Sequence, residues 1–402
     1  MRRRRIKALV GALLVALAAI LCLWLWPRPT LTAVPPGYGG PIWSTDFTVA
    51  ARYSHTIAVR RVDANGELKE LGYHKVGDAR RAYVAPGAGA WYGIGETWQG
   101  QELRVYNAGR QEYAVPDGLL RWGVRLGGAA AILPDGKVLA MYGHPGRGID
   151  PPPSEEMYIR PMAILAREGG NVRRYPLIED LESCLAVAIS GDGNVVAISV
   201  APRGPKTLWP PMATEAEGLR TLFFSTKDAR LIATIKGLKV GGLNTDGSLA
   251  LGTKGKTLAV YRGTRLLAER PLDQMHFIRT SADGAFVVGT HLRYEAVVMK
   301  ADTLEDVQRI KLEPPYEVAN CDISTTGRLA VQEWFSEEVR QGERRTTTSL
   351  VVYRQDGSVA FRRNLGTSKR VPVNAFQWSR DGKTLHYLDE RKSRVVQCRI
   401  AE

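Results

Sequence analysis

Residues 277–291 read FIRTSADGAFVVGTH: an apolar stretch, a Ser-Ala-Asp-Gly turn and a second apolar stretch. Asp tolerates the turn, and Gly takes positive φ without steric cost. The segment therefore predicts two short antiparallel strands joined tightly. The unit recurs as AAAILPDGKVLAMYG (129–143), LAVAISGDGNVVAISVA (185–201), GGLNTDGSLALGT (241–253), ANCDISTTGRLAVQEW (319–334) and AFQWSRDGKTLHYLD (375–389). A weaker copy, AYVAPGAGAWYGIGE, occupies residues 82–96. The turn glycines Gly136, Gly193, Gly247, Gly284, Gly327 and Gly382 stand 57, 54, 37, 43 and 55 residues apart. Spacings of this size bracket one repeat of a four-stranded sheet.

A second hairpin lies between these units. TLFFSTKDARLIATI (221–235), AVVMKADTLEDVQRIKL (296–312) and SLVVYRQDGSVAFRRNL (349–365) each read strand, polar turn, strand. LRVYNAGRQEYAV (103–115) and TLAVYRGTRLLAERPL (257–272) do the same. Two hairpins per repeat make a four-stranded antiparallel sheet. A small sheet cannot bury its apolar faces alone, so several must stack, and radial stacking closes the array. The expectation is an all-β chain, a β-propeller of four-stranded antiparallel blades.

Six full repeats cover about residues 82–365, with strands near residues 47–72 before them and over 374–400 after. Seven blades result if the two ends share one blade, and eight if each end makes its own. Seven, latched by mixed ends, is the preferred count.

The turn units resemble the WD-repeat-like propellers of bacteria, including those of TolB-type proteins, whose blades carry Ser-x-Asp-Gly-x-x-Leu-Ala. Ser281–Gly284 and Ser379–Gly382 match best, whereas Leu133-Pro134 and Thr325-Thr326 depart from the pattern. The Trp-Asp and Gly-His pairs of eukaryotic WD repeats are absent. The resemblance implies a fold and not an activity.

Residues 8–26, ALVGALLVALAAILCLWLW, contain no charge and no proline. As a helix they span roughly 28 Å, the thickness of a bilayer core. Arg2, Arg3, Arg4, Arg5 and Lys7 precede them, which holds the N-terminus in the cytoplasm. Trp24 and Trp26 fall at the outer interface, and Pro27 and Pro29 stop the helix. The expected organisation is a basic cytoplasmic tail (1–7), a transmembrane signal-anchor helix (8–26), a Pro/Gly linker (27–44) and an extracytoplasmic propeller (45–402). The alternative is a cleaved signal peptide and a secreted body.

The chain carries +14, of which five charges lie in the first seven residues. The remaining excess is a mild bias toward anionic partners such as lipid headgroups or acidic polymers. Nucleic acid is disfavoured, because no basic run follows the N-terminus. Cys184, Cys321 and Cys398 lie beyond the apolar segment without CxxC spacing and read as free thiols packed as small hydrophobes.

The Asp-Gly turns fall on one face of a propeller, and the connections from second to third strands fall on the other. Three of these connections are long: GHPGRGIDPPPSEE (143–156), APRGPKTLWPPMATEAEG (201–218) and EWFSEEVRQGERRT (333–346). A fourth, ETWQGQ (96–101), is short. Loops on a rigid scaffold are where recognition is usually built. Candidate binding residues on this face are Trp98, His144, Arg147, Asp150, Arg203, Trp209, Trp334, Glu337 and Arg340, the tryptophans as anchors.

The six histidines show no metal-ligand spacing, and no Gly-x-Ser-x-Gly elbow or phosphate-binding loop occurs. No catalytic set, metal or cofactor is therefore expected. The sequence reads as a membrane-anchored, non-enzymatic binding or scaffold module for a protein or an anionic envelope polymer. The alternative is an extracytoplasmic propeller enzyme, of hydrolase or lactonase type, with its site at the central channel.

Overall fold

The computed structural model describes residues 30–33, 48–53, 56–62, 68–75, 81–86, 90–95, 103–115, 130–141, 162–178, 182–202, 218–272, 275–340, 343–368, 376–379, 381–389 and 394–400. These residues form strands and turns and no helix, so none is long and apolar enough to cross a membrane. The basic tail and the apolar segment 8–26 lie outside the described residues.

The strands form eight antiparallel sheets, each a meander paired in chain order. The first holds β1 (Thr30–Ala33), β2 (Thr48–Tyr53), β3 (Thr56–Val62) and β4 (Leu68–Lys75). The second holds β5 (Arg81–Val84), β6 (Trp91–Gly95), β7 (Leu103–Asn107) and β8 (Arg110–Val115). The third comprises β9 (Ala130–Ile132), β10 (Val138–Met141), β11 (Met162–Glu168) and β12 (Asn171–Pro176). The fourth comprises β13 (Glu182–Ile189), β14 (Val195–Pro202), β15 (Arg220–Ser225) and β16 (Leu231–Lys236). The fifth runs through β17 (Lys239–Leu243), β18 (Leu249–Lys254), β19 (Thr257–Arg262) and β20 (Arg265–Pro271). The sixth runs through β21 (Met275–Thr280), β22 (Phe286–His291), β23 (Glu295–Lys300) and β24 (Asp306–Lys311). The seventh is β25 (Glu317–Ile323), β26 (Leu329–Arg340), β27 (Glu343–Tyr353) and β28 (Val359–Ser368). The eighth has three strands, β29 (Phe376–Trp378), β30 (Thr384–Asp389) and β31 (Arg394–Arg399).

The preferred count of seven is thereby corrected to eight sheets. The reason is β1, which lies inside the stretch read as a linker and pairs Thr30–Ala33 with Val49–Arg52. The first sheet reaches four strands on its own, and among the described residues none of its strands pairs with the eighth sheet.

Successive sheets pack face to face, and alternate residues of one strand serve opposite neighbours. Val196, Ile198 and Val200 of β14 bury against the third sheet, while Ala197 buries against the fifth. Leu329 and Val331 of β26 face the sixth sheet, and Ala330 faces the eighth. Burial on both faces explains why these strands read as continuous apolar runs instead of alternating ones. The same logic links the first sheet to the second through Val59, Tyr92 and Tyr106. Truncating one such side chain, for example Ile198→Ala, costs about 2–5 kcal/mol.

The Ser-x-Asp-Gly turns are closed by their own side chains. Ser190 Oγ donates to Asp192 Oδ1 (2.6 Å) and accepts from Val195 N–H (2.9 Å), while Gly193 N–H donates to Ser190 O (2.8 Å). Ser281–Asp283 and Ser379–Asp381 repeat the same contacts. Neighbouring turns are also joined: Asp192 N–H donates to Thr245 O (2.8 Å), and Thr245 N–H donates to Ala282 O (3.1 Å). Gly193 sits at φ +75°, and a Cβ there would stand 2.5 Å from Pro134 Cγ and 2.7 Å from Pro86 Cγ. Glycine is thus required both for conformation and for the close approach of the next turns.

A β-bulge recurs near the start of the fourth strand in six sheets, at Leu71, Glu112, Ile232, Leu267, Val307 and Ala360. Fourth strands are exposed sheet edges, and a bulge twists such an edge away from foreign strands.

Candidate functional site: an extended hairpin and its cleft

In the fifth and sixth sheets the second and third strands have six residues each; in the seventh, β26 has 12 and β27 has 11. The span 333–346, read from sequence as a loop, is therefore mostly strand. The composition explains this: no glycine or proline interrupts residues 328–341, and Thr346–Thr348 continue into an apolar run. Trp334, Glu337 and Arg340 lie on β26 and not on a loop.

The base of the hairpin is held by a buried carboxylate. Glu333 is 2% exposed, accepts from Tyr353 Oη (2.6 Å) and pairs with Arg362 Nη1 (3.1 Å), which ties β26, β27 and β28 together. Burial and the Glu333 hydrogen bond push the Tyr353 phenol well above its ordinary value. Above this base, β25 ends its pairing at Glu317 opposite Trp334, whereas β27 stays paired with β26 as far as Arg340 opposite Glu343. On the other side, β28 supports β27 up to Thr346 opposite Ser368. Among the described residues, no strand pairs with the β25-side edge of β26 beyond Trp334. That edge covers six residues, about 20 Å of strand.

A cleft of about 380 Å³ opens beside this edge, lined by Pro315, Glu317, Trp334, Phe335, Ser336 and Glu338. Tyr316 meets Phe335 edge-on, with ring centroids 5.0 Å apart, and so fixes one wall. Trp334 and Phe335 are half-buried, and residues 336–339 are exposed. Along β26, Glu337 stands opposite Arg345 and Glu338 opposite Arg344. The cleft therefore combines aromatic surface, carboxylates and an open strand edge.

Of the sequence candidates, Trp334 lines the cleft, Glu337 is on the exposed part of β26, and Arg340 closes the strand. Trp98, His144, Arg147, Asp150, Arg203 and Trp209 lie outside the described residues. Sequence reading missed Phe335, which lies on β26, and Pro315 and Glu317, which join the site through the connection between the sixth and seventh sheets. The run Tyr-Glu after Pro314-Pro315 was the available signal.

Two other features bear on function. Asp322, on β25, is fully buried and accepts from Ile323 N–H and Trp378 N–H (both 3.1 Å). Burial raises its pKa, opposed by Arg279, and the carboxyl is committed to joining the seventh and eighth sheets. Among the described residues no three His, Cys, Asp or Glu side chains gather as a metal-ligand set. The positive charge is also more localised than composition suggested. The fourth strands β4, β8, β12, β16, β20, β24 and β28 together hold 12 Lys/Arg against 4 Asp/Glu. Their net +8 compares with +9 for everything beyond residue 7.

No protein-family model matches the chain, and no curated protein matches it. Among solved structures, it is similar to Hsv2 of Kluyveromyces lactis, with 12% identity and a TM-score of 0.47 over 85% of this chain and 98% of that one. It is also similar to BamB from Moraxella catarrhalis, with 11% identity and a TM-score of 0.49 over 92% and 98%. A third is dihydro-heme d1 dehydrogenase NirN in complex with DHE, with 14% identity and a TM-score of 0.47 over 83% and 67%. At these identities a likeness concerns the fold alone and carries no function across.

Proposed function

We propose that the chain is a non-enzymatic recognition module: a β-propeller, anchored in a membrane by residues 8–26 and facing outward, that binds a protein through the face opposite its Asp-Gly turns. The observation that carries this reading is the β26–β27 hairpin. It leaves an otherwise regular scaffold and carries an aromatic-lined cleft at its base. Half-buried aromatic side chains beside a cleft are the groups that supply most binding energy at protein interfaces. The long connections 143–156 and 201–218 belong to the same face by strand order, so the interface extends along the ring. Its rigid base costs little ordering entropy on binding.

The test uses the full chain in its native membrane, with a photo-crosslinking residue placed at Glu337, at Arg147 or, as a control, at Asp356 on the turn face. Crosslinks to one protein partner from the first two positions and none from Asp356 support the reading. Crosslinks from Asp356 alone would overturn it. Protease added to intact cells should degrade the propeller, and protection until the membrane is opened would sink the outward orientation.

A further inference from the structure

We infer that the β26–β27 hairpin is turned toward the membrane that holds residues 8–26, with its tip in the phospholipid headgroup layer. This rests on the reading of residues 8–26 as an anchor and deepens that of the recognition face: a protein bound there is met at the membrane surface.

Three observations converge. The first is the length of the tether. The apolar run ends at Trp26 and β1 begins at Thr30, so only Pro27, Arg28 and Pro29 lie between. Whatever their conformation, the distance from Trp26 to Thr30 cannot exceed about 14 Å. The second is strand direction. Thr30 stands opposite Arg52, beside the point where Tyr53 of β2 faces Thr56 of β3. The chain thus enters the first sheet at the end where second strands hand over to third strands. That is the end from which β26 and β27 project in the seventh sheet. Neighbouring sheets share this polarity, because their Asp-Gly turns meet on the opposite face. There Gly193 approaches Pro134, Asp192 bonds Thr245, Thr245 bonds Ala282, and Gly382 approaches Thr325. The first sheet joins the same order: Arg61, one residue from the end of β3, donates to Ala85 O beside the turn from β5 to β6 (2.7 Å). The third is reach and chemistry. The hairpin runs six residues past the last pairing of β25, about 20 Å, which is more than the tether allows. With the anchor in a bilayer, the tip therefore arrives at the headgroups. Its register sets Glu337 opposite Arg345, Glu338 opposite Arg344 and Arg340 opposite Glu343, three charges of each sign. Charges of both signs complement the phosphate and amine of zwitterionic headgroups, with Arg suited to phosphate. The cost of burying them keeps the tip out of the hydrocarbon.

The test places the full chain in phosphatidylcholine nanodiscs that contain a lipid with a nitroxide on its headgroup. A fluorescent amino acid replaces Glu337 on the hairpin or Asp356 on the turn face, both exposed. The nitroxide should quench the label at position 337 at least about twofold and leave the label at position 356 unchanged. Equal quenching at the two positions, or more at 356, would overturn the inference. Inserting twenty Gly/Ser residues between Pro29 and Thr30 lengthens the tether to an average of about 25 Å. Quenching at position 337 should then fall by at least half, and unchanged quenching would show that the tether does not set the orientation. A chain that fails to co-elute with the discs removes the anchor reading and this inference together. Crosslinks from Glu337 to a protein partner, found without quenching there, leave the recognition face standing while this inference falls.

Discussion

On one face of the ring, the turn at residues 190–195 is bound internally by Ser190 and Asp192 and externally to the turns at Thr245 and Ala282. On the other, the hairpin of β26 and β27 rises past β25 and carries exposed residues from Ser336 to Val339. The turn face joins successive sheets through its polar groups, whereas the hairpin exposes residues 336–339. A repeat scaffold tolerates this division because each sheet needs only its two neighbours for burial. Extension beyond the packed zone costs little stability, whereas a change inside the ring of turns disturbs several sheets together.

The largest break in that contrast should come from Gly193→Val. A β-branched residue at φ +75°, with its Cβ driven into Pro134 and Pro86, should lose about 3 kcal/mol or more of stability by urea denaturation. Replacing residues 337–345 by Asn-Gly should change stability by less than about 0.5 kcal/mol. If the two variants melt alike, the two faces do not differ as described.

Next is the base of the hairpin. Glu333→Ala leaves the buried Tyr353 hydroxyl without its acceptor and the exposed Arg362 without this ion pair, and should cost about 2 kcal/mol. Tryptophan fluorescence of Trp334 should report local loosening before the rest of the chain unfolds.

A smaller effect is expected from pH acting on the eighth sheet. His386 contacts Gln397 (2.9 Å) across β30 and β31, and burial holds its pKa below the ordinary 6.5. The unfolded chain then binds the proton more readily. Stability contributed by the neutral ring is complete above about pH 6.5 and declines as pH falls toward the depressed value. The urea midpoint should fall as pH drops below about 6.5 in the native chain, and His386→Gln should reduce that fall.

The smallest belongs to a single turn. The Ser379 hydroxyl, and then Lys383 N–H, hold Asp381 below the usual carboxylate range. Its contribution is present at neutral pH and declines only as pH falls below about 4. Asp381→Asn should therefore remove a small part of the acid-limb slope and leave the slope near pH 6 untouched.

Much of this architecture was legible in residues 277–291 and their copies. The spacing of Ser, Asp and Gly dictates a tight turn wherever it occurs, because the hydrogen bonds involved are local. The cysteines on strands follow the same rule: Cys184 and Cys321 are buried, as small side chains within apolar runs are. The count of sheets was not legible. β1 sits in a Pro-rich stretch with no hairpin signal, and its place is set by pairing with β2 across 14 intervening residues. The site was half legible. Trp334 stands out in the sequence, but polar composition does not distinguish a loop from an exposed hairpin. A two-stranded projection exposed on both faces is polar without being irregular.

By itself the sequence determined which segments turn and which are apolar on both sides, and hence that small sheets must stack. Those properties depend on neighbours in the chain. The tertiary structure alone decided that eight sheets form, that one hairpin outruns its neighbours, and that Pro315 and Glu317 meet Trp334 at its base. Each of these depends on which strand lies beside which, and pairing between distant segments is settled by packing in three dimensions.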